Sequence, residues 1–479
     1  MATLELGTSW SRISSGFRRT VLAGLAGLLA LLTAPAATLY VWPESPDPGP
    51  PYAGWATAAH TIQEAVDAAL PRDTILVTNG VYETGSSTLN GSALNRVAVT
   101  KAMTLSSVNG PSVTEIRGKT GDFGDRLGNG QGAVRCVYLG ANAVLNGFAL
   151  TYGHTREWNP TVPLDDSDVN GGGAFCESSA ALVNCIIAHC AAGKQGGGVW
   201  RGRLDNCLLI TNAAAYGGAV SFGLLRHCTL NGNTAQPVRT RTEDAPIGGL
   251  GGGTYAGTLF NCIVSDNTAP TGDNYHNSSL DSSCTAPLPD KGSGNIAAAP
   301  GFVDASAGEF RLRRDSPCID AGMKTSVARD LEGSLRPLDG NGDGVEAPDL
   351  GAYEFDLRPL ISQEWLLRHG LDPADPHVVA YDSDGDGHTT YQEWVSDTDP
   401  NDTQSVFRLE AIQSGQAGSV CFLTSTNRFY TLSVAPDVAG LPQASTASKT
   451  TLRGTGGLLT LTTTNPFVSQ FYRVEVQVP

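Results

Sequence analysis

Four short segments repeat along the chain: Leu182-Val-Asn-Cys185-Ile-Ile, Leu204-Asp-Asn-Cys207-Leu-Leu, Leu225-Arg-His-Cys228-Thr-Leu and Leu259-Phe-Asn-Cys262-Ile-Val. A fifth, Val144-Leu-Asn-Gly147-Phe-Ala, fits with glycine in the cysteine column. The cysteines are spaced by 22, 21 and 34 residues, and Gly147 precedes Cys185 by 38. Five residues past the column stand Cys190, Asn212, Asn233 and Asn267; two further on stand Ala192, Ala214, Ala235 and Ala269. A unit of about 21 residues with short β-branched stretches and no helical period is one turn of a β-solenoid. One turn cannot bury its apolar face alone. Stacking at about 4.8 Å pairs each strand with its equivalent above and below, so columns of like residues become ladders. Glycine clusters at Gly171–Gly173, Gly196–Gly198, Gly217-Gly218 and Gly251–Gly253 each precede a short strand, where a corner needs positive φ.

Working outward, residues 59–83 (HTIQEAVDAALPRDTILVTNGVYET) predict the start of the coil. Ile62, Ala65, Val66 and Ala69 share one helical face, and Ile75-Leu76-Val77 is expected to begin the first strand. The helix would cover the open end and protect its edge. With these rungs, residues 55–355 resemble the right-handed parallel β-helix, or pectin-lyase-like, superfamily. That resemblance implies the fold and leaves the activity open, because one fold hosts many functions.

Composition narrows the setting. The chain has 479 residues, 57 of them glycine, and a formal charge of −16 from 31 Lys+Arg and 47 Asp+Glu. Nucleic-acid binding needs clustered positive charge to displace counterions from phosphates, so no nucleic-acid partner is expected. Residues 1–37 read as a signal peptide. Arg12, Arg18 and Arg19 flank the apolar run Val21–Leu32, and Ala34-Pro35-Ala36 offers small residues at cleavage spacing. That run is too short to span a bilayer, which needs about 20 residues. A secreted or cell-surface protein, without a transmembrane helix in its mature chain, is the expectation. The chain has ten cysteines and no CxxC pair. The cysteine file can be a stack of buried thiols or a set of disulfides between rungs. Parallel Cβ vectors favour the thiols.

The two long rungs locate a candidate ligand face. Extra residues enter at 155–170 and 236–250, and the short rungs between place Lys194-Gln195 and Tyr216 at the same point. Both insertions should leave one edge of the solenoid and flank a trough. Glu157, Trp158, Asp165, Asp166 and Asp168 would form one wall, and Arg239, Arg241, Glu243 and Asp244 the other, with Lys194 and Tyr216 on the floor. Aromatic rings, carboxylates and arginines suit a polysaccharide or cell-surface glycan. The same groups in water-facing loops would have no ligand. A polysaccharide lyase or glycoside hydrolase acting on an acidic polymer is the enzymatic alternative, with a lysine or arginine as base. No paired-aspartate, GxSxG, HExxH or P-loop pattern marks a catalytic centre.

Beyond the coil, Ser316-Pro-Cys-Ile-Asp320-Ala-Gly322, Arg336-Pro337 and Asp349-Leu-Gly351-Ala-Tyr353-Glu354-Phe355 resemble the closing segment of bacterial surface β-helix proteins of the choice-of-anchor type. Within it, Asp339-Gly-Asn341-Gly-Asp343-Gly344 matches half a calcium loop or a plain turn. Residues 382–393 match the whole twelve-residue loop. Asp382, Asp384 and Asp386 stand at positions 1, 3 and 5, with Gly387 at the sharp turn. His388 offers its carbonyl at position 7, and Glu393 closes the loop at 12. Three aspartates within five residues repel one another without a cation, so Ca²⁺ is the expected cofactor. The segment resembles dockerin and thrombospondin-type-3 calcium repeats. Alternating segments over 406–479 predict five strands of a small β-sandwich. The expectation is therefore an all-β chain: signal peptide 1–37, parallel β-helix 38–300, closing segment 301–357, calcium-binding helical linker 358–404 and sandwich module 405–479. A binding or structural role toward saccharide goes with it.

Overall fold

The structure is a computed structural model that describes residues 35–89, 93–238, 247–413, 417–435, 450–464 and 471–479. Most of the expected signal peptide, with Arg12, Arg18 and Arg19, therefore lies outside the described residues, as do Arg239, Arg241, Glu243 and Asp244. Among the described residues no helix is long and apolar enough to cross a membrane.

Three long parallel sheets run along one coil. The first has nine strands, from Thr38–Val41 through Ala181–Val183 and Arg203–Asp205 to Ser279–Asp281. The second has eight, seven of them parallel from Leu94–Val99 to Tyr275–His276, with Ser87–Thr88 antiparallel at one edge. The third also has eight, from Gly80–Tyr82 to Cys284–Thr285. Register follows side-chain identity. Leu145, Leu182, Leu204, Leu225, Leu259 and Leu280 pair in succession. All six are fully buried. Ile116, Leu150, Ile187, Leu209, Leu230 and Val264 form the matching file of the third sheet. Side chains alternate across a strand, so one apolar position per strand fills the lumen from every turn.

This register corrects the alignment of the fifth segment by one residue. Leu145 pairs with Leu182, so Phe148, not Gly147, stands in the cysteine column. Gly147 joins Asn184, Asn206, His227, Asn261 and Ser282, which all take positive φ between 42° and 78°. That corner is a left-handed turn, which glycine and asparagine tolerate best. The corner also points a carbonyl into the lumen, where the next thiol satisfies it. Cys185, Cys207 and Cys262 donate to the Val183, Asp205 and Phe260 oxygens at 3.2, 3.4 and 3.3 Å. All ten cysteines are free thiols and nine are buried.

A second internal file is polar. Asn212, Asn233, Asn267 and Asn274 are each at most 8% exposed. Each of the first three passes an amide N–H to the next Oδ1 at 2.9–3.0 Å. The Oδ1 atoms of Asn233, Asn267 and Asn274 also take the backbone N–H of the preceding rung's asparagine. On the far corner, glycine allows close backbone approach: a Cβ on Gly197 would collide with the Ala213 carbonyl oxygen.

The helix Ile62–Ala68 covers the open end as expected. A Thr61/Glu64 capping box starts it. Ile62, Ala65 and Val66 join the main core with Leu39, Val41, Ile75 and Val77. The first strand is not Thr74–Val77, however. Thr38–Val41 precedes the helix and pairs with Thr74–Val77 in parallel. Four residues with two inward side chains gave too short an alternation to read in the sequence.

The closing segment lies along the coil's flank. Phe310, Leu331 and Ala352 pack on Leu208. Leu350 packs on Ile263 and Cys284. Gly351 N–H donates to the Asn261 carbonyl at 2.8 Å, and Ala352 N–H to Thr229 Oγ1 at 3.0 Å. A buried polar cluster fastens it. Arg336 Nη1 lies 3.2 Å from Glu354 and 2.6 Å from His227 Nδ1. Burial and the neighbouring guanidinium push His227 down to about 2, so its ring is neutral. Residues 358–404 then build a separate small core, with Trp365, Leu366, Tyr391 and Trp394 at its centre. Two three-stranded antiparallel sheets follow, packing Val420, Phe422, Tyr430, Leu432 and Leu461 between them.

Candidate functional site: an aromatic trough and a carboxylate cage

The two insertions do leave the same edge of the coil. Isolated parallel bridges link Asn170 to Gln195, Gln195 to Tyr216, and Tyr216 to Leu250. Between the insertions lies a cavity of about 680 Å³. Glu157 and Trp158 line one side, Gln236, Pro237 and Val238 the other, and Gly193 and Ala215 the floor. Gly193 lets the first loop lie flat, since a Cβ there would stand 2.5 Å from the Arg156 oxygen and 2.6 Å from the Trp158 nitrogen. Thr155 pins the same loop, accepting the Gly193 N–H at 2.9 Å on its hydroxyl and the Gly130 N–H at 3.0 Å on its carbonyl.

Rings continue along the coil axis from Trp158. Its centroid lies 6.0 Å from that of Tyr216, which lies 5.3 Å from Tyr255. Tyr255 stacks on His276 at 5.9 Å and 2°, and meets the exposed Phe222 edge-on at 5.8 Å. Lys194 Nζ sits 5.9 Å over Trp158 and 3.3 Å from Asp166. Partly exposed rings in a row offer apolar faces to a ligand that also carries hydroxyls.

Of the residues expected in the trough, Glu157, Trp158, Asp166, Lys194 and Tyr216 belong to it or border it. Asp165 is exposed at the start of a four-residue helix, Asp166–Val169, beside them. Asp168 is a correction. It is 4% exposed and its Oδ1 accepts the Ala93 N–H at 2.8 Å, so it anchors the loop and is closed to a ligand. The fully buried Arg135 supports it, donating to the Gly171 and Asn170 carbonyls at 2.7 and 2.8 Å. A third wall was missed. Asp125, Arg126 and Leu127 reach the cavity from the turn of a hairpin one rung earlier. That turn holds the Gly128-Asn-Gly130-Gln-Gly132 run, which carries no cysteine-column signal. Tyr255 and His276 were also missed, although each stands at the same step after its glycine corner as Trp200.

The second constellation is the 382–393 loop. Asp382, Asp384 and Asp386 each offer an oxygen within 4.8 Å of the others. Gly385 and Gly387 N–H groups bond Asp382 at 2.8 and 3.0 Å, and His388 N–H bonds Asp386 Oδ1 at 2.7 Å. The helix Thr390–Ser396, begun by a Thr389/Gln392 capping box, brings in Glu393. Glu393 is fully buried and, among the described residues, neither of its oxygens has a hydrogen-bond partner; Asp384 Oδ2 and Asp386 Oδ2 are orphaned in the same way. Burial, then Asp384, Asp386 and Asp382, push the Glu393 carboxyl up to about 8. Unpartnered buried carboxylate oxygens cost free energy that a hard cation removes, so the residues present fit Ca²⁺. The half-loop at 339–344 repeats the hydrogen bonds: Gly342 and Gly344 N–H groups bond Asp339 at 2.7 and 3.0 Å. Its twelfth position is the buried Leu350, which gives no ligand.

No protein-family profile matches the chain, and no curated protein sequence matches it. Several solved structures are similar to the chain, among them the following three. Pectate lyase Pel9A has 14% identity over 67% of this chain and 97% of its own, with a TM-score of 0.35. Pectin methylesterase from carrot has 13% identity over 56% and 78%, with a TM-score of 0.31. The A-module of the Azotobacter vinelandii mannuronan C-5 epimerase AlgE4 has 14% identity over 49% and 71%, with a TM-score of 0.22. The register of the three sheets defines the chain as a parallel β-helix protein. Its particular role is a matter for the site.

Proposed function

We propose that this protein is an exported, calcium-binding parallel β-helix protein that holds an extended saccharide along its trough. The row of rings Trp158, Tyr216 and Tyr255 carries the reading, with the side chains of Arg126, Glu157 and Gln236 supplying hydrogen bonds at its end. Ring faces stack on the C–H faces of sugars, and the polar groups fix orientation. The 382–393 loop holds one Ca²⁺ through Asp382, Asp384, Asp386, the His388 carbonyl and Glu393. Near-millimolar extracellular calcium would keep it loaded. Lys194, one candidate base for a lyase, pairs with Asp166 and lies over the Trp158 ring, and Arg126 is the other cation in the trough among the described residues. A glycan microarray probed with the whole protein and with Trp158→Ala tests this, alongside an ultraviolet assay for unsaturated products. Binding lost in the variant with no product formed is the expected result. Product formation would replace binding with catalysis, and an array with no hits would refute the reading.

A further inference from the structure

The helix Thr390–Ser396 touches three bodies at once. Its Glu393 faces the loop carboxylates. On its N-terminal side, Gln392 Nε2 donates to the Gly342 carbonyl at 2.9 Å, and Tyr391 accepts a hydrogen bond from Arg314, both in the closing segment. At its C-terminal end, Arg428 of the C-terminal module donates to the Val395 oxygen at 2.7 Å and to the Trp394 oxygen. Those carbonyls are free because a helix leaves its last four unbonded. Asp397, which ends the helix in a left-handed conformation, completes the joint. It accepts from Ser425 Oγ and Asn427 Nδ2 and lies 3.5 Å from Arg428. Arg428 is only 5% exposed and stands 6.0 Å from the Trp394 ring centroid. The module therefore grips the last turn of the helix whose fourth residue is the closing calcium ligand.

From this we infer that calcium in the 382–393 loop docks the C-terminal module onto the linker, and that its removal releases the module. The inference rests on the calcium reading above. The physical link is short. Without a cation, the three aspartates repel across the loop and Glu393 loses the shared ion that ties its helix to them, so the helix is released to shift. Moving it takes the Trp394 and Val395 carbonyls away from Arg428. Linkage requires the reverse as well: a docked module must raise calcium affinity by the factor by which calcium favours docking.

Calorimetry with Ca²⁺ and small-angle scattering, on the full chain with and without chelator, test both halves. Expected are one bound Ca²⁺ and a larger radius of gyration in chelator. Arg428→Ala should bind calcium about 5-fold or more weakly and stay extended at calcium levels that compact the wild type. Ser425→Ala, a smaller change, should shift both readouts in the same direction, and a circular-dichroism melt shows whether the coil is intact. If calcium binds but neither the scattering nor the Arg428→Ala affinity changes, the docking inference fails and the site stands. If no calcium binds, both fall.

Discussion

Replacing Asn233 with alanine removes the middle of the buried amide file. Its Oδ1 accepts the Asn212 backbone N–H at 2.9 Å and the Asn212 side-chain N–H at 3.0 Å. Its own Nδ2 donates to the Leu209 carbonyl and to Asn267 Oδ1, both at 2.9 Å. Asn212 Nδ2 also donates to the Ile187 carbonyl, so only one of its hydrogens keeps a partner after the change. Asn233→Ala therefore leaves two buried donors unmatched. At about 1–3 kcal/mol for each stranded group, the cost is about 2–6 kcal/mol. Asn231 is the control. It belongs to the same rung, and its amide bonds Ser265 and Asp266 on the outside at 3.0 and 2.9 Å. Water can replace those partners, so Asn231→Ala should cost about 1 kcal/mol. Urea unfolding followed by circular dichroism reads both as midpoint shifts at constant slope. If Asn233→Ala costs no more than Asn231→Ala, the file does not hold the rungs and the reasoning is wrong.

Other outcomes follow from the same geometry. Glu393→Gln should abolish most calcium binding by calorimetry while leaving the coil's melting unchanged; unchanged affinity would remove Glu393 from the ligand set. His227 is neutral when buried, with its folded value of about 2 below the 6.5 of the free side chain. Its contribution is therefore present above pH 6.5 and lost as pH falls toward 2, at up to about 1.4 kcal/mol per unit. Glu354, raised to about 7 by burial, works in the opposite direction between 4.5 and 7, so its share must be cancelled by comparison with a variant. The stability of wild type relative to His227→Asn should fall between pH 6.5 and 4.5, and a flat difference would contradict the assignment. A thiol reagent should count ten thiols after unfolding without reductant, and at most Cys421, the one cysteine not fully buried, before it. A lower total would mean disulfides.

The coil was legible because a solenoid stacks equal positions: leucine, asparagine and cysteine recur in the sequence at the spacing at which they touch. The same logic places both insertions, 155–170 and 236–250, on one edge. What escaped were features that repeat weakly or once. Gly147 belongs with the left-handed asparagines, and a hexapeptide frame anchored on Val144 put it one place off. Asp168 reads like its exposed neighbours Asp165 and Asp166, and only the tertiary contact with Ala93 shows it to be an anchor. Asp125, Arg126 and Leu127 come from a hairpin outside the repeat. The carboxylate cluster of 382–393 is readable residue by residue, because Asp382, Asp384, Asp386 and Glu393 lie within twelve consecutive positions. The grip of Arg428 on the Trp394 and Val395 carbonyls joins residues more than thirty positions apart and leaves no local pattern.

Titration of array-positive oligosaccharides of increasing length, against wild type and Trp158→Ala, addresses the saccharide-holding role most directly. Affinity should rise with each added sugar until the chain spans the rings from Trp158 to Tyr255 and then level off, and Trp158→Ala should lose the affinity at every length. Equal affinity for all lengths, or for both proteins, would contradict it.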